Sequence, residues 1–233
     1  MSGPTGEPAS PRALAAADPT AFVRANTVLA SPPLLPELKL HLATEVTPLW
    51  LATEATLRQS GLPPPYWAFA WPGGQALARH LLSHPALVGG RRVLDFAAGS
   101  GLAAIGAALA GGAHVAASEC DAFARAAIDL NAAANGVAVE LVAADLTAGG
   151  NLGWDIVLAG DVCYERPMTE RVAPWLGRLA AAGVEILLAD PGRAYLPKRG
   201  LSEIARYVVP TSRELEDRES RDVRIYRVDA EIA

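Results

Sequence analysis

Four acidic residues stand at the ends of short apolar runs, where their side chains could serve a ligand site. They are Asp95, Glu119, Asp145 and Asp161. Carboxyl ends of parallel strands meet at one edge of a sheet, and ligands of α/β proteins bind in the crevice there. If each apolar run is such a strand, the four carboxylates surround one site that suits cationic and hydrogen-bond-donating groups.

The loop after Asp95 is the strongest local signal, because Gly99 and Gly101 allow a tight turn and a close approach of a ligand to the backbone. Residues 99–104 also fit the dinucleotide pattern G-x-G-x-x-A. In a dinucleotide site the helix N-terminus faces a pyrophosphate, which the carboxylate of Asp95 would repel. The loop therefore favours a ligand with an ammonium and a sulfonium group, such as S-adenosylmethionine. A helix-capping or turn role is the alternative for Asp95.

The next two acids suit the adenosine part of such a ligand. An acidic residue about 20 positions after the glycine loop binds ribose hydroxyls in nucleotide-binding βαβ units, and Glu119 stands near that distance from Gly101. This spacing does not distinguish S-adenosylmethionine from NAD, since both contain an adenosine ribose. Asp145 can accept a hydrogen bond from the adenine amino group. A solvated charge is the alternative for Glu119, and Asp121 is expected to cap the next helix.

Alternating apolar runs and amphipathic stretches predict the elements that position these residues. The expected strands are 92–97, 115–118, 139–143, 155–159 and 184–188. The expected helices are 101–109, 122–134, 169–182 and 201–207. Around a charged turn, 211–215 and 222–228 predict a hairpin. Strands that alternate with helices indicate an α/β fold with a doubly wound, mostly parallel sheet and a C-terminal antiparallel hairpin.

The first part of the chain carries fewer signals. Residues 1–17 are rich in Pro, Gly and Ala and are expected to fray. Residues 18–29 predict a helix with Asp18 as N-cap and Pro19 in the first turn. The other expected elements are a strand at 38–43, a helix at 50–59, a loop at 61–65 and a helix at 75–83.

Composition bounds the class of protein. The 233 residues are 51% hydrophobic and 19% charged, with a net charge of −5; this fits one α/β domain and disfavours a nucleic-acid partner. Cys120 and Cys163 have no metal-site spacing, so no metal is expected. No apolar run is long enough for a membrane span, and the first residues lack signal-peptide features, so a cytoplasmic protein is expected. The oligomeric state stays open.

The order of the motifs resembles that of class I, seven-β-strand, S-adenosylmethionine-dependent methyltransferases. It runs Asp95-x-x-x-Gly99-x-Gly101, Glu119, Asp145, Asp161-x-x-Tyr164. The last motif is similar to that of the lysine-directed methyltransferase family 16. More specifically, the segments 65–77, 160–164 and 190–193 resemble the lysine methyltransferases of the electron transfer flavoprotein β subunit. The resemblance covers roughly residues 61–200 and implies a Rossmann-like, seven-stranded sheet.

The resemblance implies which residues bind the cofactor S-adenosylmethionine. They are Trp71, Asp95, Ala97, Gly99, Gly101, Glu119, Asp145 and Asp161. In this family the methionine end lies against Asp95 and the glycine loop, the ribose hydroxyls against Glu119 and the adenine amine against Asp145. A glycine is usual at the position of Ala97, and a methyl group is tolerable there if φ is negative.

The resemblance also implies the acceptor site. Asp161 and Tyr164 would be the catalytic residues that orient the target amine. Tyr66, Trp67 and Tyr164 would contact the substrate as aromatic walls. For Trp67, a place in the hydrophobic core is the alternative. Residues 1–60 are expected to form a partly flexible N-terminal extension with substrate contacts, and 61–233 the methyltransferase domain.

The expected activity is therefore protein-lysine N-methylation, with the electron transfer flavoprotein β subunit as the partner and a ribosomal protein as a second target. A small-molecule N- or O-methyltransferase on the same fold is the main alternative. A nucleic-acid methyltransferase is disfavoured by the charge and by Asp161-Val162-Cys163-Tyr164, which lacks a proline pair. The remaining alternatives are a NAD-dependent oxidoreductase, which Asp95 disfavours, and a binding module without activity.

Overall fold

A seven-stranded sheet with helices on both faces forms the body of the protein. The computed structural model describes residues 18–44, 64–149 and 153–233. The strands there are β1 (Val28–Ala30), β2 (Leu40–Leu42), β3 (Arg92–Phe96), β4 (His114–Ser118), β5 (Glu140–Val142), β6 (Ile156–Gly160), β7 (Glu185–Asp190), β8 (Leu201–Pro210) and β9 (Ser220–Val228). The α-helices are α1 (Pro19–Asn26), α2 (Pro72–Ser83), α3 (Leu102–Leu109), α4 (Ala122–Ala134), α5 (Arg166–Ala181) and α6 (Arg213–Glu216), with 3₁₀ turns at Tyr66–Ala68 and Pro85–Leu87.

The strand order of the large sheet is β5-β4-β3-β6-β7-β9-β8. The first five strands in this order are parallel, and β9 runs antiparallel to both β7 and β8. This confirms the predicted doubly wound, mostly parallel sheet with a C-terminal antiparallel hairpin. The chain proceeds from β3 outward to β5 and then returns to β6, so the topological switch point lies between β3 and β6.

Side chains of the central strands alternate between two layers of core. Val93 and Leu158 pack with the apolar residues of α2 and α3 on one face. Leu94 and Val157 pack with Trp175 of α5 on the other. Because both faces are covered, most of the buried positions of these strands are apolar, as is typical of a parallel sheet. In the described ranges, no helix has the length and apolarity needed to cross a bilayer.

The N-terminal residues 18–44 pack directly against this body. Helix α1 begins as predicted, with Asp18 accepting the N–H of Ala21 at 3.0 Å and a proline in the first turn. The predicted helix of residues 18–29 is too long, however, because Val28–Ala30 pairs with β2. The predicted boundary at residue 60 and the predicted helix 50–59 lie outside the described residues and stay predictions.

Asn131 of α4 and Asn135, which caps the C-terminus of α4, connect β2 and the residue before it to the rest of the molecule. Asn131 is fully buried; its Oδ1 accepts the N–H of His41 at 2.7 Å and its Nδ2 donates to the carbonyl of Ser100 at 2.9 Å. Asn135 accepts the N–H of Lys39 at 3.0 Å and donates to the Lys39 carbonyl at 2.6 Å. The backbone of β2 is thus connected through Asn131 to the loop between β3 and α3.

The C-terminal part corrects two predictions. Residues 201–207, predicted as a helix, belong to β8, which pairs with β9 from Leu201 to Pro210 with a register shift between Glu203 and Ala205. A short run of this composition is compatible with either element, and its pairing with the neighbouring strand decides. Residues 211–215, predicted as a strand, lead instead into α6, because the hydroxyl of Ser212 accepts the N–H of Leu215 as an N-cap.

Candidate active site

The carboxyl ends of the parallel strands open into a cavity of about 500 Å³ beside the switch point, a volume that suits a cofactor-sized ligand. It is lined by Tyr66, Trp71, Phe96, Ala97, Gly99, Ser118, Glu119, Cys120, Ala144, Asp145, Gly160, Asp161, Val162, Tyr164, Met168, Arg193 and Leu215. A smaller crevice, which Asp95 lines, adjoins this cavity. The two spaces share Trp71, Ala97, Gly99, Gly160 and Asp161.

Most of the residues predicted for the site lie around these two spaces, and Gly101 and Trp67 are the exceptions. Gly101 lines neither space; it begins α3 in the left-handed region with φ of 76°, and a Cβ there would be 3.0 Å from the side chain of Ile128. Trp67 is 2% exposed and packs in a core cluster with Val23 and Ala124. The structure therefore places Trp67 in the hydrophobic core, which was the alternative interpretation.

The loop after β3 has two residues with positive φ at the cavity. Gly99 has φ of 54°, and a Cβ added there would meet no atom within 4 Å, so its missing side chain leaves open space beside the backbone. Ala97 has φ of 53°, so the condition under which a methyl group would be tolerable there, a negative φ, is not met. The methyl group of Ala97 is accommodated, but in the left-handed region that glycine adopts without cost.

The carboxylate of Asp95 is buried beneath this loop. Its Oδ2 accepts the N–H of Ala104, in the first turn of α3, at 2.9 Å. Burial raises the pKa of Asp95 to about 7; the Ala104 hydrogen bond acts in the opposite direction, and the charge of Glu119 raises it further. Asp95 therefore both caps a helix and lines the crevice, and a cation beside it would stabilise its ionised form.

Glu119 and Asp145 line the larger cavity in different surroundings. Glu119 accepts the N–H of Gly99 and that of Asp121, each at 3.1 Å, and burial raises its pKa. Asp145 is half exposed and accepts both the N–H and the hydroxyl of Thr147, which lower its pKa. The cavity thus has a partly buried acid at one strand end and a solvated one at the next.

Asp161 faces the cavity and is held by the N-terminus of α2. Its Oδ2 accepts the N–H of Gly74 at 3.1 Å. A Cβ at Gly73 would be 2.5 Å from the same oxygen, so only glycine permits this approach of the helix. The positive end of the helix dipole also favours the charge of Asp161. These contacts explain in physical terms why a glycine at position 73 accompanies the acid after β6.

The other oxygen of Asp161 accepts no hydrogen bond from the residues that the structure describes. Oδ1 is buried and accepts no hydrogen bond within the described part of the chain, although the guanidinium of Arg193 lies 3.8 Å away. Burial raises the pKa of Asp161 to about 7, Arg193 lowers it, and Asp190 raises it. A buried acceptor without a partner is costly, and the carboxyl group that carries it lines the cavity.

Three aromatic rings form the wall next to Asp161. The ring of Tyr66 lies 5.5 Å from that of Tyr164 and 6.0 Å from that of Trp71, measured between centroids. The Trp71 indole N–H donates to the carbonyl of Tyr66 at 2.7 Å. Tyr66 and Tyr164 remain 47% and 40% exposed. These aromatic faces could surround an aliphatic chain that ends in a cationic or neutral amine.

Sequence reasoning assigned no role to several residues of the cavity. Arg193 belongs to the 190–193 segment of the family resemblance, so a signal existed without a function attached to it. Leu215 lies in the segment that was predicted as a strand, and no signal pointed to it. Three further residues also line the cavity, namely Phe96, Cys120 and Met168. Nothing in their local sequence indicated this, because the tertiary fold brings them there.

The residues present fit S-adenosylmethionine. Asp95 is a buried acid that a cationic group would stabilise, and Asp161 has a carboxyl oxygen that accepts no hydrogen bond from the described residues. The space at Gly99 admits a ligand against the backbone. Glu119 and Asp145 add acceptors for hydroxyl and amino groups on the next two strands.

Comparisons with known proteins identify the family of the chain. The model of the ribosomal protein L11 methyltransferase (PrmA) family matches residues 80–162. The electron transfer flavoprotein beta subunit lysine methyltransferase of Danio rerio is 36% identical over 198 residues, 82% of this chain and 76% of that protein. That of Xenopus laevis is 35% identical over 213 residues, 89% of this chain and 85% of that protein.

Among solved structures, the ribosomal protein L11 methylase of Lactobacillus delbrueckii subsp. bulgaricus superposes with a TM-score of 0.49 at 18% identity, over 68% of this chain and 79% of that one. The relatives from Danio and Xenopus carry the assignment, because each is more than 30% identical over most of both chains. The chain belongs to the family of electron transfer flavoprotein beta subunit lysine methyltransferases.

Proposed function

We propose that this protein transfers methyl groups from S-adenosylmethionine to lysine side chains of the electron transfer flavoprotein β subunit. The observation that carries the proposal is the carboxyl group of Asp161, which lines both the cavity and the Asp95 crevice and whose Oδ1 accepts no hydrogen bond from the described residues. Family membership supports the substrate, since the relatives are named for it. A lysine amine at this acceptor would lie next to the cofactor's place.

The cofactor would be held by the strand-end acids. Asp95 and the backbone of the glycine loop would bind its methionine end, Glu119 its ribose hydroxyls and Asp145 its adenine amine. Trp71 and Ala97, which line both the cavity and the crevice, would border it. When bound, S-adenosylmethionine supplies a methyl carbon that is already activated by a sulfonium.

The protein's task is to position the attacking amine and to remove water around it. A lysine has a reference pKa of about 10.4 and must lose a proton before it can attack. Tyr66 and Tyr164 would desolvate the amine and lower its pKa, whereas Asp161 would raise it. Asp161 therefore acts as a hydrogen-bond acceptor that aims the nitrogen, and the proton passes to solvent. The methylated products stay cationic and are stabilised by the aromatic faces.

The test is a transfer assay with labelled S-adenosylmethionine and the recombinant electron transfer flavoprotein. We expect label on lysine residues of the β subunit, and none on a β subunit whose methylated lysines, mapped by mass spectrometry, are replaced by arginine. A ribosomal protein L11 arm tests the second target, which the match over residues 80–162 favours. Label that appears only in a small-molecule fraction would overturn the proposal in favour of a small-molecule methyltransferase.

Two further predictions concern the domain organisation and the location of the protein. Residues 1–60 would act as an N-terminal extension of the methyltransferase domain 61–233 and contact the protein substrate, which deletion variants would test through KM for the flavoprotein. The protein would work in the cytoplasm, because Cys120 and Cys163 are both free thiols, as a reducing compartment maintains them. Cell fractionation tests that location.

A further inference from the structure

Three charged residues from distant parts of the chain meet under the acceptor wall. Asp161 follows β6, Arg193 follows β7, and Glu216 ends the short helix α6. Their side chains are 12%, 21% and 1% exposed, respectively. No motif of the sequence assigned a role to Arg193 or Glu216.

The guanidinium of Arg193 is held by Glu216. Nη1 donates to Oε2 at 3.1 Å, and Nη2 donates to Oε1, so the two groups form a fork. Glu216 is fixed in turn by Arg221, which donates from Nε to Oε2 and from Nη2 to the Glu216 carbonyl, each at 2.8 Å. The backbone of Arg193 is held as well, since Oδ1 of Asp190 accepts its N–H at 2.6 Å.

This arrangement leaves Arg193 close to Asp161 without a hydrogen bond between them. Nη2 lies 3.8 Å from Oδ1 of Asp161, which is within ion-pair range and beyond hydrogen-bond range. Oδ1 of Asp161 and Nε of Arg193 are both buried without a hydrogen-bond partner in the described residues. A direct pair between the two side chains would satisfy these atoms, and the bidentate hold of Glu216 on the guanidinium opposes it.

We propose that Glu216 is a positioning residue of the methyl-transfer site, which holds the Arg193 guanidinium away from Asp161 and so leaves the Asp161 carboxylate uncommitted for the target amine. The inference rests on the proposed function, because the amine of the target lysine is the hydrogen-bond donor to the Asp161 carboxylate. Arg193 still lies near enough to favour the ionised carboxylate. In this arrangement the charge of Arg193 still acts on Asp161, whereas the hydrogen bonds of Arg193 go to Glu216.

The first test is Glu216→Gln, which keeps the size of the side chain and removes the charge that binds Arg193. We expect Arg193 to turn toward Asp161 and kcat to fall about tenfold, less than for loss of a group in direct contact with the reacting atoms. KM for S-adenosylmethionine should stay unchanged. Glu203→Gln is the matched control, because Glu203 pairs with Arg206 on the exposed face of β8, and we expect it to leave kcat unchanged.

The pH profile of kcat is a readout that a purely structural role would not move. Loss of the Glu216 charge and a closer Arg193 both lower the pKa of Asp161, so the acid limb should shift by about one unit to lower pH. Cys163 and Tyr164, each with a pKa raised to about 12, do not titrate in this range. The titratable and charged groups around Asp161 are Asp95, Cys163, Tyr164, Asp190, Arg193 and Glu216.

A double variant tests the direction of the effect. Arg193→Gln in the Glu216→Gln background removes the group that would occupy Oδ1, and we expect part of the lost kcat to return at pH 8.5, above the raised pKa of Asp161. If Glu216→Gln does not fold, Glu216→Asp keeps the charge, shortens the reach to Arg193 and should give a smaller loss of kcat.

A crystal structure of Glu216→Gln gives a readout that does not depend on activity. The proposal predicts an Arg193 to Asp161 Oδ1 distance within hydrogen-bond range. An unmoved Arg193, an unchanged acid limb, or a double variant without recovery would each overturn the role of Glu216. Failure of the proposed function is distinguishable, because the wild-type protein would then label no lysine while the crystal distances still test the placement of Arg193.

Discussion

The two sides of the cavity are built from different stretches of chain. The cofactor side, defined by Asp95, Glu119 and Asp145, follows the successive strands β3, β4 and β5. The acceptor side, defined by Asp161 and Tyr164, depends on groups that come from the start of α2, the turn after β7 and the 3₁₀ turn before α2. One side is local in sequence, and the other is assembled by the tertiary fold.

Their hydrogen bonding differs in the same way. Both oxygens of Glu119, on the cofactor side, accept a backbone N–H. On the acceptor side, Asp161 keeps Oδ1 buried and unpartnered within the described residues. The hydrogen bonds of Glu119 on the cofactor side are therefore formed in the ligand-free protein, whereas Asp161 on the acceptor side has one carboxyl oxygen without such a bond from the described residues. Substitutions on the two sides should consequently separate binding from turnover.

The largest expected effect concerns the acceptor side alone. Asp161→Asn keeps the size of the side chain, and asparagine tolerates the positive φ of 56° at this position. Because a neutral amide cannot accept from the amine with the strength of a carboxylate, we expect kcat to fall about 10²- to 10³-fold. Initial rates with labelled cofactor measure this loss. Calorimetry should show a much smaller change in affinity for S-adenosylmethionine, and normal turnover would remove Asp161 from the acceptor side.

The next effect concerns the cofactor side. Asp95→Asn removes a buried charge that would pair with the cofactor's ammonium, so we expect Kd for S-adenosylmethionine to rise about 10²-fold. The value of kcat at saturating cofactor should change far less. Calorimetric titration of both aspartate variants provides the comparison. If Asp95→Asn lowered kcat and spared Kd, the assignment of the two sides would be reversed.

The pH dependence of binding sharpens the same comparison. Below its pKa of about 7, Asp95 is protonated in the free protein and does not attract a cation. Affinity should therefore increase as pH rises through 7, by up to about tenfold per unit, and level off above it. In Asp95→Asn this dependence should be weakened, and in Asp161→Asn the limb due to Asp95 should persist. A flat profile in the wild-type protein would contradict the role of Asp95.

A fourth prediction links the cofactor side to the N-terminal strands. Asn131→Leu conserves volume but leaves the N–H of His41 and the carbonyl of Ser100 without partners, so we expect a loss of about 2–4 kcal/mol in the free energy of unfolding. Cofactor affinity should also decrease, because Ser100 belongs to the glycine loop. Urea unfolding measures the first effect. Asn135→Ala is the matched control, and since its bonds to Lys39 are exposed, it should cost about 1 kcal/mol and leave affinity unchanged.

The same contrast explains how much could be predicted from the sequence. The strands in chain order and the acids of the cofactor side could be predicted from the sequence, because apolar runs and strand-end carboxylates are local patterns. The hydrogen bonds from Gly74 to Asp161 and from Arg193 to Glu216 could not be predicted, because they join residues that are far apart in the chain. The segment around Glu216 was also assigned to the wrong element. Trp67 shows the opposite error, since an aromatic residue inside a recognisable motif faces the core.

The smallest expected effect concerns Ala97, where the chain departs from the glycine usual in its family. With φ of 53°, alanine is strained by about 1 kcal/mol relative to glycine. Ala97→Gly should therefore raise the thermal midpoint by about 2–4 °C, which calorimetry of the free protein would detect. Ala98→Gly is the matched control, because Ala98 does not have a positive φ. A glycine at position 98 should therefore lower the stability of the protein. A rise at position 97 with cofactor affinity little changed would show that the loop conformation, and not the residue that adopts it, forms the cofactor side. A fall at position 97 would mean that contacts of the methyl group with the cavity wall outweigh the backbone strain.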